Sequence, residues 1–155
     1  MTLTRAELIE RLQSAEWTDL EVKEAAWAMP KSALETLSAF ANTSGGHLVF
    51  GVKEADKGFE LVGVIDVDKV QNEFFTQVNS RDKISCQLTV HDGLLKFDDK
   101  DILVFFVEEA DRKHKPVYLD RDIRKSYVRR GGGDQKCSDE DIRRFLRAAG
   151  GIDLV

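Results

Sequence analysis

The stretch Leu37-Ser38-Ala39-Phe40-Ala41-Asn42-Thr43-Ser44-Gly45-Gly46-His47-Leu48-Val49-Phe50-Gly51-Val52 changes its period halfway along, and that change decides the fold. Ahead of the change, Leu34, Leu37, Phe40 and Ala41 recur at helical spacing and supply one apolar stripe that needs a sheet to lie on. Asn42-Thr43-Ser44-Gly45-Gly46 then stops the helix, since Asn and Gly accept the positive φ at which a helix ends and a strand begins. From His47 the short apolar run reads as a strand.

Upstream, Thr4-Arg5-Ala6-Glu7 is a capping box that opens a first helix running to about Ala15. Leu20-Glu21-Val22-Lys23-Glu24 alternates apolar with charged residues, the period of a half-buried strand on which Glu21 and Lys23 share the polar face. Pro30 suits the first turn of the Leu34–Ala41 helix.

Downstream, a turn at Glu54–Gly58 and a strand over Phe59–Ile65 complete a hairpin, with Gly51 and Gly63 as expected bulges. Asp68 is the expected cap of a third helix bearing Val70, Phe74 and Val78. Strands follow near Ile84–His91, Leu94–Phe97 and Ile102–Val107, with turns predicted at His91-Asp92-Gly93 and Asp98–Asp101. A short strand at Ser126–Val128, the Gly131-Gly132-Gly133 turn and a last helix capped by Ser138 finish the chain. The sum is one α+β domain: a mixed, largely antiparallel sheet with helices packed against it.

With 155 residues, 42% of them hydrophobic, the chain suits a single domain, 1–155, with a core of its own. No apolar run approaches the roughly 18 residues a membrane span needs, so no membrane association is expected. The first residues lack a secretory signal, and a cytoplasmic location is expected. Cys86 and Cys137 are too few for a zinc framework and read as free thiols. His47, His91 and His114 have no metal-ligand spacing. A net charge of −5 repels phosphate, so any nucleic-acid face must be local.

Such a local face is offered by Arg112–Arg130, where eight Lys and Arg residues stand against Asp120 and Asp122 alone. Arg124, Lys125, Arg129 and Arg130 suit phosphate contacts, Tyr127 suits base stacking, and the amides of the triple glycine suit a close anion. A solvated basic face is the plainer reading. The carboxylates Glu16, Glu21 and Glu54 form a second candidate set, able to hold Mg²⁺ or Mn²⁺ if the fold brings them together, with Lys23 beside Glu21. Three exposed glutamates is the plainer reading there. Gly46 and Gly51 lack the Lys-Ser or Lys-Thr of a phosphate-binding loop, so no ATP site is expected.

Taken together, these residues resemble the AlbA-like domain of the Schlafen family over roughly 16–146. The central run is similar to the family's alanine-phenylalanine-alanine-asparagine, double-glycine and glycine-valine signature. Glu16 with Glu21-Val22-Lys23 resembles its opening acidic motif, and Tyr127-Val128-Arg129-Arg130-Gly131 its closing one. The resemblance implies a nucleic-acid-associated module. For active members it implies a metal-dependent endoribonuclease site acting on tRNA or other structured RNA, at positions matching Glu16, Glu21 and Glu54. Glu54 stands where the family has a shorter aspartate, with Asp56 as a competitor for the role.

Three functions are therefore in play. The first is binding of RNA or DNA through phosphate contacts by Lys23, Arg124, Lys125, Arg129 and Arg130. The second is metal-dependent RNA cleavage by the three carboxylates. The third is protein interaction or homo-oligomerisation through the sheet edges or the Phe74-Phe75 face.

Overall fold

Each element of the computed structural model, which describes residues 2–14 and 17–150, follows from its local sequence. Helix α1 (Arg5–Gln13) carries the full capping box, with Thr4 and Glu7 exchanging side-chain and backbone bonds. Strand β1 (Leu20–Lys23) precedes α2 (Ser32–Asn42), and β2 (Gly46–Phe50) returns parallel to β1, with Glu21 opposite Leu48 and Lys23 opposite Phe50. A hairpin of β3 (Val52–Ala55) and β4 (Gly58–Leu61) leads to α3 (Val67–Val78). The cap of α3 is Asp66, which accepts from the Lys69 amide, rather than the expected Asp68.

Next come β5 (Val90–Phe97) and β6 (Lys100–Val107), which pair antiparallel along their whole length and complete a sheet of order β1-β2-β6-β5. The predicted turn at His91-Asp92-Gly93 lies inside β5, and Ile84 forms only an isolated bridge with Leu119. Gly93 is in the strand because the N-terminal segment crosses it: a Cβ there would come within 2.5 Å of Thr2 Oγ1. That contact spans most of the chain and leaves no local trace.

A second, smaller sheet follows a 3₁₀ turn at Arg112–His114: β7 (Tyr118–Leu119), β8 (Asp122–Arg130) and β9 (Gly133–Lys136), then α4 (Asp139–Gly150). Ser138 and Asp141 cap α4 reciprocally. Among the described residues no helix is long and apolar enough to cross a membrane.

Helix α2 lies between the two sheets. Nine of its eleven residues are buried, so it is a central layer and not an amphipathic cover. Its apolar side, with α3, packs on the large sheet, where Phe74 stacks on Phe105 at 3.8 Å and Phe50 meets both edge-on. Its polar side holds the small sheet. Ser38 Oγ donates to the Val117 carbonyl at 2.7 Å and accepts from the Tyr127 amide at 3.0 Å. Asn42 donates to the carbonyls of Val117 and Tyr127 and accepts from the Val117 amide at 2.7 Å. A buried amide with three backbone partners explains this Asn, which stays helical; the left-handed residue at the helix end is Gly45, at φ +74. Gly46 is required for another reason, since a Cβ there would lie 2.6 Å from the Phe40 ring.

Two further apolar clusters complete the packing. One lies under α1 and the β3–β4 hairpin on the far face of the large sheet, and the other joins Val128 and Cys137 to Ile142 of α4.

Candidate nucleic-acid interface

Strand β8 alternates, and its alternation sorts the arginines. Arg129 turns toward α2 and the large sheet, whereas its neighbour Arg130 turns toward α4. The Arg129 side chain is 1% exposed. Its guanidinium donates to Glu21 at 2.9 Å, to Asp134 at 2.8 Å, and to the carbonyls of Thr18, Trp17 and Leu20 at 2.9, 3.0 and 2.7 Å. It also sits 5.1 Å from the centre of the Phe40 ring. Every donor direction of the planar fork is used. The expected phosphate contact by Arg129 is therefore withdrawn: this residue clamps β1, α2 and the β8–β9 hairpin together. Asp134 extends the clamp by accepting from Thr36 at 2.6 Å.

The same clamp occupies one of the expected metal ligands. Glu21 Oε1 accepts from Arg129, and Oε2 faces Lys23 Nζ at 3.7 Å. Lys23 is itself only 15% exposed. Glu54 lies on β3 opposite Phe59, exposed and with no side-chain partner among the described residues. It is reached only after the bend at Gly51, whose amide donates to the Lys23 carbonyl. Glu16 lies outside the described residues. Among the described residues no three His, Cys, Asp or Glu side chains converge as a metal site. The described carboxylates thus do not fit a divalent ion by themselves, and no cleavage step is derived through one.

The outward residues of the small sheet and α4 differ in kind. Among the described residues Arg124 is exposed with no side-chain partner, and so are Lys136 on β9 and Arg112 and Lys113 on the 3₁₀ turn. Lys125 pairs with Asp120 at 3.3 Å and remains 45% exposed. Arg130 is half exposed beside Asp141, and that ion pair with its hydrogen bond holds the Asp141 carboxyl down at about 2. Tyr127 is half-buried, and burial together with the Glu35 carboxylate pushes its hydroxyl up. Gly131 and Gly132 make the β8–β9 turn and Gly133 opens β9, and a Cβ at any of the three would meet no described atom within 4 Å. The fold thus leaves Arg124, Lys125 and Arg130 exposed while Lys23 is largely covered and Arg129 is buried.

Sequence reasoning missed a further part of this surface. Arg143, Arg144 and Arg147 of α4 are exposed and lie close to their own helix's Glu140 and Asp141. Their spacing opposite Ile142 and Phe145 was the available signal. With them, residues 112–150 carry 12 Lys and Arg against 6 Asp and Glu, whereas residues 1–111 carry 11 against 21. Charge is segregated by layer.

The Schlafen AlbA_2 family model matches residues 16–138. The chain belongs to that family. The N-terminal domain of a RecG-related protein from Nitrosomonas europaea, solved in solution, is similar to this Schlafen AlbA_2 domain at 35% identity with a TM-score of 0.67. The match covers 88% of this chain and 94% of that domain, and the name of that protein links it to ATP-dependent DNA helicases. Among curated proteins none matches. Family membership accounts for the central run: in this Schlafen AlbA_2 domain it is the helix between two sheets and the turn into β2.

Proposed function

We propose that the domain binds nucleic acid through the outer surface of β8, β9 and α4, with Arg124, Lys125 and Arg130 against the phosphate backbone. The observation that supports this reading is the charge segregation: a net basic segment, 112–150, with exposed cations on a chain of net charge −5. Phosphate contacts of this kind position a strand without reading its sequence. Family membership and the helicase-linked name of the solved relative agree with it.

The test is binding of labelled duplex and single-stranded oligonucleotides across a salt series. Affinity should fall steeply with salt, and Arg124→Ala with Lys125→Ala should lower the log–log slope for duplex by about 2. Binding that is absent, or indifferent to salt, ends the proposal. Repeating the series with Mn²⁺ and with a chelator, and following strand length, asks the separate question of cleavage. Intact strands with Mn²⁺ would leave binding as the function.

A further inference from the structure

A cleft of about 590 Å³ opens between the start of α2, the end of α3 and the β7–β8 turn. Its floor is apolar, made by Met29, Leu34 and Leu119. Five polar side chains stand around that floor: Asp120, which pairs with Lys125, and the four residues Lys31, Glu35, Gln77 and Lys83. None of the four has an ion pair or side-chain hydrogen bond within the described residues. An apolar floor with a few convergent, unengaged polar groups is the usual form of a small-ligand site, and this volume lies in the usual range of about 300–1,000 Å³.

A second observation concerns the lip. Leu119 pairs with Asp122, so Asp120 and Arg121 alone make the turn, and both have positive φ, at +54 and +58. That is the geometry of a type I′ turn, where Asn-Gly is favoured and a long side chain costs about 1 kcal/mol. Among the described residues Arg121 pairs only with Asp82, both largely exposed, a contact worth little. Asp120 lines the cleft, and Arg121 follows it in the turn with its guanidinium on Asp82, the residue before the cleft's Lys83. Lys125, bonded to Asp120, joins this mouth to the basic layer.

We infer that the cleft takes one unpaired nucleotide of the bound strand, its base on the Met29–Leu34–Leu119 floor facing Glu35 and Gln77, and its phosphates between Lys31, Lys83 and Arg121. The inference rests on the proposed nucleic-acid binding and adds what that reading lacks, a place where a single-stranded base is held. Glu35 is an acceptor for an exocyclic amino group, so cytosine is a suitable probe.

The experiment measures anisotropy of a labelled oligodeoxycytidylate and of a blunt duplex with the wild-type domain and with Lys31→Ala, Lys83→Ala. These lysines are exposed, so the variant should fold, which its thermal melt verifies. Loss of two phosphate contacts should weaken single-strand binding by about 25-fold at 0.1 M salt and leave duplex binding within about twofold. An oligonucleotide lacking bases should bind the wild type more weakly than oligodeoxycytidylate. Arg121→Gly should melt no lower than the wild type and bind the single strand several-fold more weakly. If the wild type binds no nucleic acid, the proposed function fails and takes this inference with it. If the wild type binds but the double variant keeps its single-strand affinity, or loses duplex affinity equally, only the nucleotide cleft is overturned. Equal affinity for the baseless strand also overturns it, and an unchanged Arg121→Gly removes the turn from the site.

Discussion

Arg129→Met removes the clamp between the two sheets while keeping most of the side-chain volume, so its effect reports on charge and hydrogen bonding. The substitution leaves Glu21 and Asp134, 20% and 16% exposed, without the cation between them, and leaves three carbonyls short of a donor. Breaking one partner of a buried pair typically costs 3–5 kcal/mol, and here the pair is a triad. For a chain of this size that corresponds to a fall in Tm of about 10–15 °C, read by circular dichroism or urea titration. Adding Glu21→Gln and Asp134→Asn to the variant should recover part of the loss, because the stranded charges are then gone. Nucleic-acid affinity, measured well below the lower Tm, should keep its salt slope. A Tm within about 2 °C of the wild type, or a slope lowered by about 1, would refute the structural assignment and return Arg129 to the phosphate.

Other outcomes follow from the same geometry. Asn42→Leu removes three buried backbone partners and should cost about 3 kcal/mol in urea unfolding. Gly46→Ala drives a Cβ into the Phe40 ring and should cost at least 2 kcal/mol by the same measurement, because the ring is fully buried and has nowhere to move. Asp141 titrates at about 2 in the folded domain against 3.8 ordinarily, so its contribution is complete above pH 4 and is lost as pH falls toward 2. Allowing for solvent around the half-exposed Arg130, that contribution is about 1–2 kcal/mol, and Arg130→Ala should remove most of this acid limb. Burial and Arg11 hold the His47 imidazole below its usual 6.5, so protonation favours the unfolded chain and stability should decline as pH drops below about 6.5. His47→Phe, which preserves the ring contact with Phe106, should flatten that decline.

Much of this architecture was legible in the sequence, because helix stripes, capping boxes and the Asn-Thr-Ser-Gly-Gly stop are local signals. Residues whose reasons lie far along the chain were misread. Asn42 looks like a helix terminator, yet its partners are Val117 and Tyr127, 75 and 85 residues away. Gly93 looks like a turn because Thr2 is not a neighbour in sequence. Arg129 and Arg130 are indistinguishable as members of a basic tract. Only the full length of β8, longer than the expected Ser126–Val128, fixes which of them faces inward. The cleft was invisible for the same reason, since its walls come from α2, α3 and β7 and its five polar residues form no motif.

The separation of charge by layer gives the molecule a permanent electric dipole moment, its positive pole at the small sheet and α4. In the field of a polyanion such a body rotates before it touches, presenting one pole and turning the other away. On the proposed nucleic-acid reading, arrivals are thereby pre-oriented, and the negative pole left facing outward opposes a second strand on the same copy.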